Sequence, residues 1–305
     1  MLRRDERIVG ITGRSKPFMP LKIGFIGLGR MGKPIAVNIA KAGFDLTVYD
    51  LREEPCRELA SLGARVASCA RQVAELSDIV EIIVVDDAQA EQVVAGEQGV
   101  IHGAHPGLIV ALHSTLLPAT VRKLAALCSD KGVEVLDAPV SGGQKGAEDR
   151  QLCYMVGGEA ELLEKCRPIF DTSASHIFHL GELGTGALAK MLIQVVVGLN
   201  MLAAHECEVL CDKTGLDFKS FQDVLHVSAG QSFVLDHWLG RFKRPGETEA
   251  ERRQRAEVFS KSLSPAMELA RDVGVSLPGT SVAQGLIMRV MEIDESDKAR
   301  GIPKT

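Results

Sequence analysis

The sequence has no uninterrupted apolar run long enough to cross a membrane. A spanning helix needs about 18 or more consecutive apolar residues, and the most apolar stretch, "MLIQVVVGLNMLAA", is shorter and carries Gln194 and Asn200. The opening segment, "MLRRDERIVGITGRSKPFMP", is charged and has no apolar core of a secretory signal. We therefore predict no membrane span, no signal peptide, and a flexible extension over residues 1–20, in which Met19 is an alternative start.

The chain also lacks an excess of basic residues and any closely paired cysteines. Its 35 Lys and Arg against 40 Asp and Glu give a net charge of −5, which disfavours nucleic-acid binding because such proteins usually carry a basic face. The seven cysteines include no CxxC pair, a pattern typical of reduced thiols in the cytoplasm. Cys207 and Cys211 lie one helical turn apart near His205 and could bind a metal or pack in a core. We predict packing and no metal site.

What the sequence does contain is a regular alternation of strand and helix patterns from Leu21 to about Leu180. Apolar runs typical of buried parallel strands alternate with segments of helical spacing, several of which end in glycine. This order predicts an α/β fold with a doubly wound, mostly parallel Rossmann sheet. The strand runs are "LKIGFIG", "DLTVYD", "DIVEIIVV", "LIVALHS" and "VEVLDAPV".

After Gly181 the strand patterns stop. The segment "GALAKMLIQVVVGLNMLAAHECEVLCDKTG" predicts one helix of about 25 residues, and further helical patterns follow, one of them with Ser264 as N-cap and Pro265 at its first position. We therefore predict an all-α C-terminal domain joined to the first by a long helix. The predicted division is an extension at 1–20, a Rossmann domain at 21–181, and an all-helical domain for substrate binding and oligomerisation at 182–305.

The stretch "KIGFIGLGRMGKPIAVNIAKAGFDLTVYD" contains a dinucleotide-binding fingerprint, G-x-G-x-x-G, between a strand and a helix. Gly27 permits the tight turn, Gly29 lets a diphosphate approach the backbone, and Gly32 permits close packing of helix on strand. The diphosphate then lies at the helix N-terminus, where unpaired N–H groups and the positive end of the dipole favour an anion. The predicted cofactor turn comprises Gly27, Leu28, Gly29, Arg30, Met31 and Gly32.

Asp50 ends the second predicted strand, at the distance expected for the residue that binds the adenosine ribose. A carboxylate there accepts hydrogen bonds from both ribose hydroxyls and repels a 2′-phosphate, so NAD is predicted over NADP. Arg52 is the opposing indication, since a guanidinium could bind that phosphate. The structural alternative is that Asp50 only stabilises a turn.

These motifs, with several further along the chain, resemble the β-hydroxyacid dehydrogenase family, which includes 3-hydroxyisobutyrate dehydrogenase and tartronate semialdehyde reductase. The resemblance covers nearly everything from Leu21 onward, in the same order. The shared motifs are the opening "GFIGLGRMGKPIAVNIAKAG", the turn "VVDDAQAEQVV", "HSTLLP", the substrate signature "DAPVSGGQKGAEDRQL", the lysine motif "GTGALAKMLIQ", and a later lysine, Lys261.

The resemblance implies an NAD(P)-dependent enzyme that interconverts a small β-hydroxyacid and its semialdehyde or oxo acid, with hydride passing to or from nicotinamide C4. It implies that Val85 and Asp86 lie along the dinucleotide and that Thr115 and Lys261 border the nicotinamide. It also implies a homodimer or homotetramer formed through the helical domain.

The segment Ser141, Gly142 and Gly143 is the predicted binding site for a substrate carboxylate. A hydroxyl beside backbone N–H groups that no side chain screens can form an anion-binding nest. The structural alternative is a plain glycine turn after a strand. The resemblance favours the carboxylate site.

Lys190 lies early in the long apolar segment and is the predicted general acid/base. Carbonyl reduction needs a proton at the oxygen as the hydride arrives, and oxidation needs its removal. A desolvated lysine has a lowered pKa that suits it to this exchange, although lysines usually lie on the surface. The resemblance implies the catalytic role, and it implies that Gln194, one turn further on the same helix face, orients Lys190 and the substrate.

Four positions depart from the family pattern. Ile193 and Gln194 replace two asparagines, Arg150 replaces a glycine, and Ser262 replaces an aspartate. These changes support two alternatives to a familiar small hydroxyacid. One is the same fold acting on another substrate, namely 4-hydroxybutyrate, a threonate-like sugar acid or an imine, and the other is a catalytically impaired cofactor-binding relative.

Overall fold

The computed structural model describes residues 21–239, 246–291 and 293, so the predicted extension at 1–20 lies outside the described residues. Its first sheet consists of β1 (Lys22–Ile26), β2 (Asp45–Tyr49), β3 (Arg65–Val66), β4 (Ile79–Ile82), β5 (Ile109–Leu112) and β6 (Glu134–Asp137). Neighbouring strands run parallel in the order β3-β2-β1-β4-β5-β6. The strand order reverses between β1 and β4, and such a reversal opens a crevice at the carboxyl ends of the strands.

Helices cover both faces of this sheet, because its strands are apolar on both sides. Ile23 and Phe25 of β1 enter one core, whereas Ile26 joins Val80 and Ile82 in the other. The covering helices are α1 (Gly32–Lys41), α2 (Glu53–Ser61), α3 (Ala70–Glu75), α4 (Asp87–Ala95), a 3₁₀ turn at Val100–His102, and α5 (Pro118–Ser129).

A second, three-stranded sheet was not predicted from the sequence. It contains β7 (Val140–Ser141), β8 (Leu152–Val156) and β9 (Ala174–His179), with α6 (Gly143–Glu148) and α7 (Ala160–Phe170) between them. The predicted strand "VEVLDAPV" is therefore divided between two sheets. The strand signal was weak because β7 has two residues and β9 is mostly exposed, so neither forms an apolar run.

The remainder of the described chain is helical. It contains α8 (Thr185–Thr214), α9 (Phe218–His226), α10 (Phe233–Asp236), α11 (Glu249–Asp272) and α12 (Pro278–Val290). A third core forms around Trp238, Met201 and Ile287. Helix α8 packs on β8 and β6 as well as on α10, α11 and α12, so it joins the two parts. The predicted fold class, a Rossmann sheet followed by an all-helical part and linked by a long helix, is confirmed.

The predicted helix start at Ser264 and Pro265 is wrong. Helix α11 runs without interruption through Pro265, although proline removes one backbone donor inside a helix. The side chain of Gln284, on α12, donates to the Ser260 carbonyl at 3.0 Å and to Ser264 Oγ at 2.9 Å. These bonds and the packing of α11 on α12 hold the two halves as one helix.

Helix α8 is longer and more apolar than predicted. It has 30 residues, and by length and composition it could cross a membrane, with a mean hydropathy of 1.8 over its most apolar window. This corrects the prediction that no segment reaches such a length, because a window average tolerates the interruptions at Gln194 and Asn200. A helix that packs in a protein core passes the same test, and α8 contacts five other helices, α5, α9, α10, α11 and α12.

Candidate active site

The glycine-rich turn lies at the point where the strand order reverses. Gly27 has a φ of +95°, and its N–H donates to the Tyr49 carbonyl at 3.0 Å. A Cβ on Gly32 would lie 1.9 Å from the Gly27 carbonyl oxygen, whereas one on Gly29 would meet no described atom within 4 Å. Two glycines are therefore required by close packing, and the middle one faces open space into which a diphosphate fits.

The N-terminus of α1 faces the same space. No side chain of the described residues caps it, so its first N–H groups remain available to an anion. Arg30, in the turn before the helix, is exposed and lines both clefts described below. The residues present therefore fit the diphosphate of a dinucleotide.

Asp50 is bound to the glycine turn from the end of β2. The Leu28 N–H donates to Asp50 Oδ2 at 2.6 Å, and Arg52 donates from its backbone N–H and its guanidinium. Burial raises the pKa of this carboxyl, but the hydrogen bonds from Arg52 and Leu28 outweigh burial and lower it overall. Asp50 is therefore ionised at the edge of the cleft, and the largely exposed Arg52 lies beside it.

Two adjoining clefts follow the carboxyl ends of the strands. One, of about 720 Å³, extends from the glycine turn past Asp50, and the other, of about 870 Å³, extends from the turn to Lys190. Gly29, Val84 and Gln254 are among the residues that line both. The two clefts therefore adjoin at the glycine turn and form one groove with space on both sides of it.

The ends of β4 and β5 form the floor of this groove. Val85 lines both clefts and is 80% exposed. Asp86 lines neither; its carboxylate accepts from the Gln89 N–H at 2.9 Å and caps α4. Thr115 lines the larger cleft, and the Ser114 hydroxyl before it accepts from the Val84 N–H at 2.7 Å. The geometry thus gives Asp86 a capping role and leaves Val85 and Thr115 facing the groove.

The predicted carboxylate turn borders the larger cleft. Gly142 has a φ of +137° and Gly143 a φ of +66°, both in the region that favours glycine. Gly143 lines the cleft, and Ser141 pairs with Cys153 across β7 and β8. Of the three predicted residues, Gly143 lines the cleft, and Ser141 and Gly142 are not among its lining residues.

Arg150, which replaces a family glycine, also has a left-handed backbone. Its φ of +58° is the one positive value at a non-glycine residue among those described, and its side chain is exposed. A glycine would adopt this conformation without strain. The departure at Arg150 is thus tolerated at the backbone and places a cation on the surface near the end of α6.

Lys190 and Gln194 line the larger cleft from α8. The Lys190 ammonium makes no ion pair or hydrogen bond with any other described residue. Burial lowers its pKa from 10.5 to about 8, and the nearby Cys153 thiol opposes that shift. A lysine in this state exchanges a proton near neutral pH. The structure therefore brings Lys190, Gln194, Thr115 and Gly143 to one cavity.

Asp137 is a residue of this region to which the sequence analysis gave no role. Its buried carboxylate accepts from the N–H groups of Gly184 and Ala187, both at 2.7 Å. Burial raises its pKa, and these backbone hydrogen bonds oppose the shift. The end of β6 thus caps the helix that carries Lys190. An aspartate at the end of an apolar strand, as the first residue of the substrate signature, was the signal available in the sequence.

Helix α11 closes the groove on the side opposite the sheet. Glu251, Gln254, Arg255 and Val258 face the cleft at helical spacing. Arg255 forms a bidentate ion pair with Glu247, at 3.0 and 2.5 Å. The predicted cofactor residue Lys261 lies three positions after Val258, is exposed, and lines neither cleft. Its role in cofactor binding stays a prediction.

In the part of the chain that the structure describes, no group of three or more His, Cys, Asp or Glu side chains is placed to hold a metal ion. Cys211 is buried on α8, and Cys207 is half-buried one turn before it. Both therefore take part in the packing of that helix.

The fold and the groove together define a class of protein. A parallel sheet with a glycine turn at its reversal point, an uncapped helix N-terminus, and an ionised aspartate at the end of β2 are the parts of a nicotinamide-dinucleotide site. Lys190, half-buried and with a pKa lowered to about 8, lies in the same groove. The class is the nicotinamide-dependent Rossmann oxidoreductases.

Comparison with known proteins specifies the family. Residues 22–181 match the family profile of the NAD-binding domain of 6-phosphogluconate dehydrogenase, and residues 184–300 match that of the NAD-binding domain of NADP-dependent 3-hydroxyisobutyrate dehydrogenase. The chain belongs to the β-hydroxyacid dehydrogenase family and is a nicotinamide-dependent dehydrogenase.

Individual relatives agree over most of their length. The chain is 32% identical to 2-(hydroxymethyl)glutarate dehydrogenase of Eubacterium barkeri, covering 92% of this chain and 91% of that protein. It is 35% identical to 2-hydroxy-3-oxopropionate reductase of Escherichia coli, covering 87% and 90%. The solved structure of Mycobacterium tuberculosis 3-hydroxyisobutyrate dehydrogenase with L-serine superposes with a TM-score of 0.77 at 28% identity, covering 89% and 94%.

Proposed function

We propose that this protein interconverts a small β-hydroxyacid and its semialdehyde or oxo acid, with Lys190 as the general acid/base. The observation that supports this most directly is the position of Lys190. It lies in the cleft that also contains Thr115 and Gly143, and its pKa is lowered by burial to about 8. An acid/base with a pKa near the working pH is the most effective.

In this proposal the chain binds and orients the substrate and exchanges one proton with it. A bound nicotinamide supplies the hydride donor or acceptor. In oxidation, neutral Lys190 takes the hydroxyl proton as the substrate C–H bond gives up its hydride. In reduction, protonated Lys190 returns that proton to the carbonyl oxygen. Gln194 orients the substrate and the lysine, since it lines the same cleft one turn along α8.

The proposed substrate class follows from the carboxylate turn and from the relatives. Ser141, Gly142 and Gly143 offer a hydroxyl and backbone donors suited to a carboxylate. The substrates printed in the names of the two sequence relatives, 2-(hydroxymethyl)glutarate and 2-hydroxy-3-oxopropionate, both carry the reacting carbon next to the α-carbon of a carboxylic acid. A small β-hydroxyacid is therefore the proposed substrate.

We propose NAD as the cofactor, on the position of Asp50. Its carboxylate is ionised beside the glycine turn, and it would repel the 2′-phosphate of NADP. Arg52 is the residue that would favour NADP, but its guanidinium is engaged with Asp50 and the Leu28 carbonyl. The native protein should bind NADH with a lower dissociation constant than NADPH. Asp50→Ser should reduce the difference between the two constants. Tighter NADPH binding by the native protein would contradict the proposal.

The test of the function is a substrate panel measured with both NAD and NADP. The panel contains 3-hydroxyisobutyrate, L-serine, 2-(hydroxymethyl)glutarate, 4-hydroxybutyrate and threonate, with a cyclic imine for the reverse direction. Lys190→Met should abolish turnover and leave NADH binding within about threefold. Lys213→Met is the matched control, because Lys213 is exposed near the end of the same helix. If the protein binds NADH but turns over no member of the panel, the result supports a catalytically impaired cofactor-binding relative instead.

We also propose that the protein self-associates through α8. Leu192, Val196, Leu199 and Leu210 are 38–64% exposed and lie within about 60° of one another around the helix, at the usual 100° per residue. An exposed apolar stripe of this kind marks an interface. Light scattering should show an oligomer that Val196→Glu dissociates and Val273→Glu, at an exposed apolar site outside the stripe, does not. A native monomer would refute this.

A further inference from the structure

Glu81 is an acidic residue in the centre of the parallel sheet. It lies on β4, in the apolar run "DIVEIIVV", and it is fully buried. Neither carboxylate oxygen has a hydrogen-bond partner among the described residues, and the ring of His113, 3.6 Å away at Nε2, is its charge partner. An isolated carboxylate in such a place is strongly disfavoured, so the state of His113 decides the state of Glu81.

His113 follows β5 and is also buried. Its Nδ1 lies 2.8 Å from the Ala138 carbonyl oxygen, and because a carbonyl only accepts, Nδ1 carries a hydrogen. Nε2 then faces the Glu81 carboxyl. Two lone pairs would repel each other there, so either Nε2 or the carboxyl must carry one further proton. A proton on Nε2 or on the carboxyl would join the two groups, which have no other hydrogen-bond partner for these atoms among the described residues.

Aromatic rings pack against the His113 side of the pair. The rings of Tyr154 and Phe170 pack edge-on against His113, with centroids 5.7 and 5.5 Å away. Burial raises the pKa of the Tyr154 phenol and of the Cys166 thiol, and the nearby Glu81 raises both further. Both groups therefore stay neutral at physiological pH. These neighbours are neutral and His113 itself lines the larger cleft, so among the described residues Glu81 and the His113 Nε2 face only each other.

The pair lies where three strand ends meet the groove. Through Ala138, the His113 ring holds the end of β6, two residues before the turn that begins at Val140. The next residue, Ser114, holds the end of β4 through the Val84 N–H. Thr115, which faces the cleft, follows directly. Consecutive side chains at the end of β5 thus tie that strand to both neighbours.

We propose that Glu81 and His113 form a buried positioning pair that shares one proton and fixes the carboxylate turn, Ser141–Gly143, relative to Thr115. Neither residue touches substrate in this role. The pair acts through the Ala138 carbonyl, which joins the sheet to the turn. The kinetic part of the inference rests on the proposed function, and its structural part does not.

The first experiment is independent of substrate. Nitrogen-15 shifts of His113 and the carboxyl carbon-13 shift of Glu81 should together show a single proton on Nε2 or the carboxyl, with Nδ1 also protonated. The claim of a shared proton is refuted if a neutral ring faces an ionised carboxylate, or if both Nε2 and the carboxyl carry a proton. The amide resonances of Gly142 and Gly143 should move in the double variant Glu81→Leu/His113→Phe and stay in place in Glu81→Gln.

The second experiment is kinetic. The double variant replaces the pair by apolar side chains, a change that buried ion pairs often tolerate without loss of stability. It should fold, bind NADH within about threefold of the native protein, and lose tenfold or more in kcat/KM. Glu81→Gln keeps a hydrogen-bond partner for Nε2 and should remain within about threefold. Gln222→Met, which removes a buried tether to Leu235 in the helical core, should leave kcat/KM unchanged.

Native kcat and KM in the double variant overturn the positioning role. So does a double variant that fails to fold, since the pair would then serve stability itself. Failure of the proposed function looks different, because the native protein would then turn over no member of the panel. In that case the resonances of Gly142 and Gly143 decide the inference.

Discussion

Replacing Lys190 by methionine should stabilise the protein while abolishing turnover. Burial lowers the Lys190 pKa from 10.5 to about 8, and each pKa unit corresponds to about 1.4 kcal/mol, so keeping this ammonium charged at pH 7 costs about 3 kcal/mol. Methionine has a similar length and carries no charge. Lys190→Met should therefore raise the free energy of unfolding by about 2–3 kcal/mol at pH 7.

This gain in stability decreases as the pH rises. The unfolded chain keeps its lysine proton up to about pH 10.5, whereas the folded protein releases it near pH 8. Between these values the unfolded state binds more protons, so the native protein gains stability as the pH rises. The advantage of Lys190→Met is therefore full below pH 8 and is lost by about pH 10.5.

Urea unfolding of the two proteins at pH 7 and at pH 10, monitored by far-ultraviolet circular dichroism, measures both values. Lys213→Met is again the matched control and should change stability by less than about 0.5 kcal/mol at either pH, because Lys213 is exposed. If Lys190→Met is no more stable than the native protein at pH 7, or if its advantage persists unchanged at pH 10, the ammonium is not desolvated and the reasoning fails.

Three further predictions follow from the same region. kcat/KM for oxidation should rise with pH through about 8, and kcat/KM for reduction should fall there, because the two directions need Lys190 in opposite protonation states; steady-state profiles with the same slope in both directions would contradict this. Asp137→Ala should lower the free energy of unfolding in urea by about 3 kcal/mol, because two backbone donors of α8 lose their carboxylate acceptor. Asp86→Ala removes a single cap and should lower it by about 1 kcal/mol. Equal losses in the two variants would show that Asp137 is an ordinary cap. Arg150→Gly should raise the free energy of unfolding by up to about 1 kcal/mol, and with it the thermal midpoint, because glycine adopts the left-handed backbone without strain. A lower midpoint would show that the arginine side chain makes a stabilising contact.

The local order of the first half could be predicted because each signal there depends on neighbouring residues. The glycine turn, the apolar strands and the helical spacing are short-range patterns, and a parallel sheet covered on both faces makes its strands apolar throughout. The small second sheet escaped prediction because β7 is two residues long and β9 is mostly exposed. The continuous α11 escaped it because side chains of α12 stabilise the helix around Pro265.

The sequence by itself determined the class of chemistry. The turn at Gly27–Gly32 indicates a nucleotide site, and the single lysine in "GTGALAKMLIQ" is the residue proposed to carry the proton, because both signals depend on residue types at fixed local spacing. Only the tertiary structure decided what surrounds them. It desolvates Lys190, makes Asp137 the cap of α8, and places Glu81 against His113. These relations join residues about 30 to 50 positions apart in the chain, and burial and hydrogen-bond geometry at that range arise only when the strand ends are brought together.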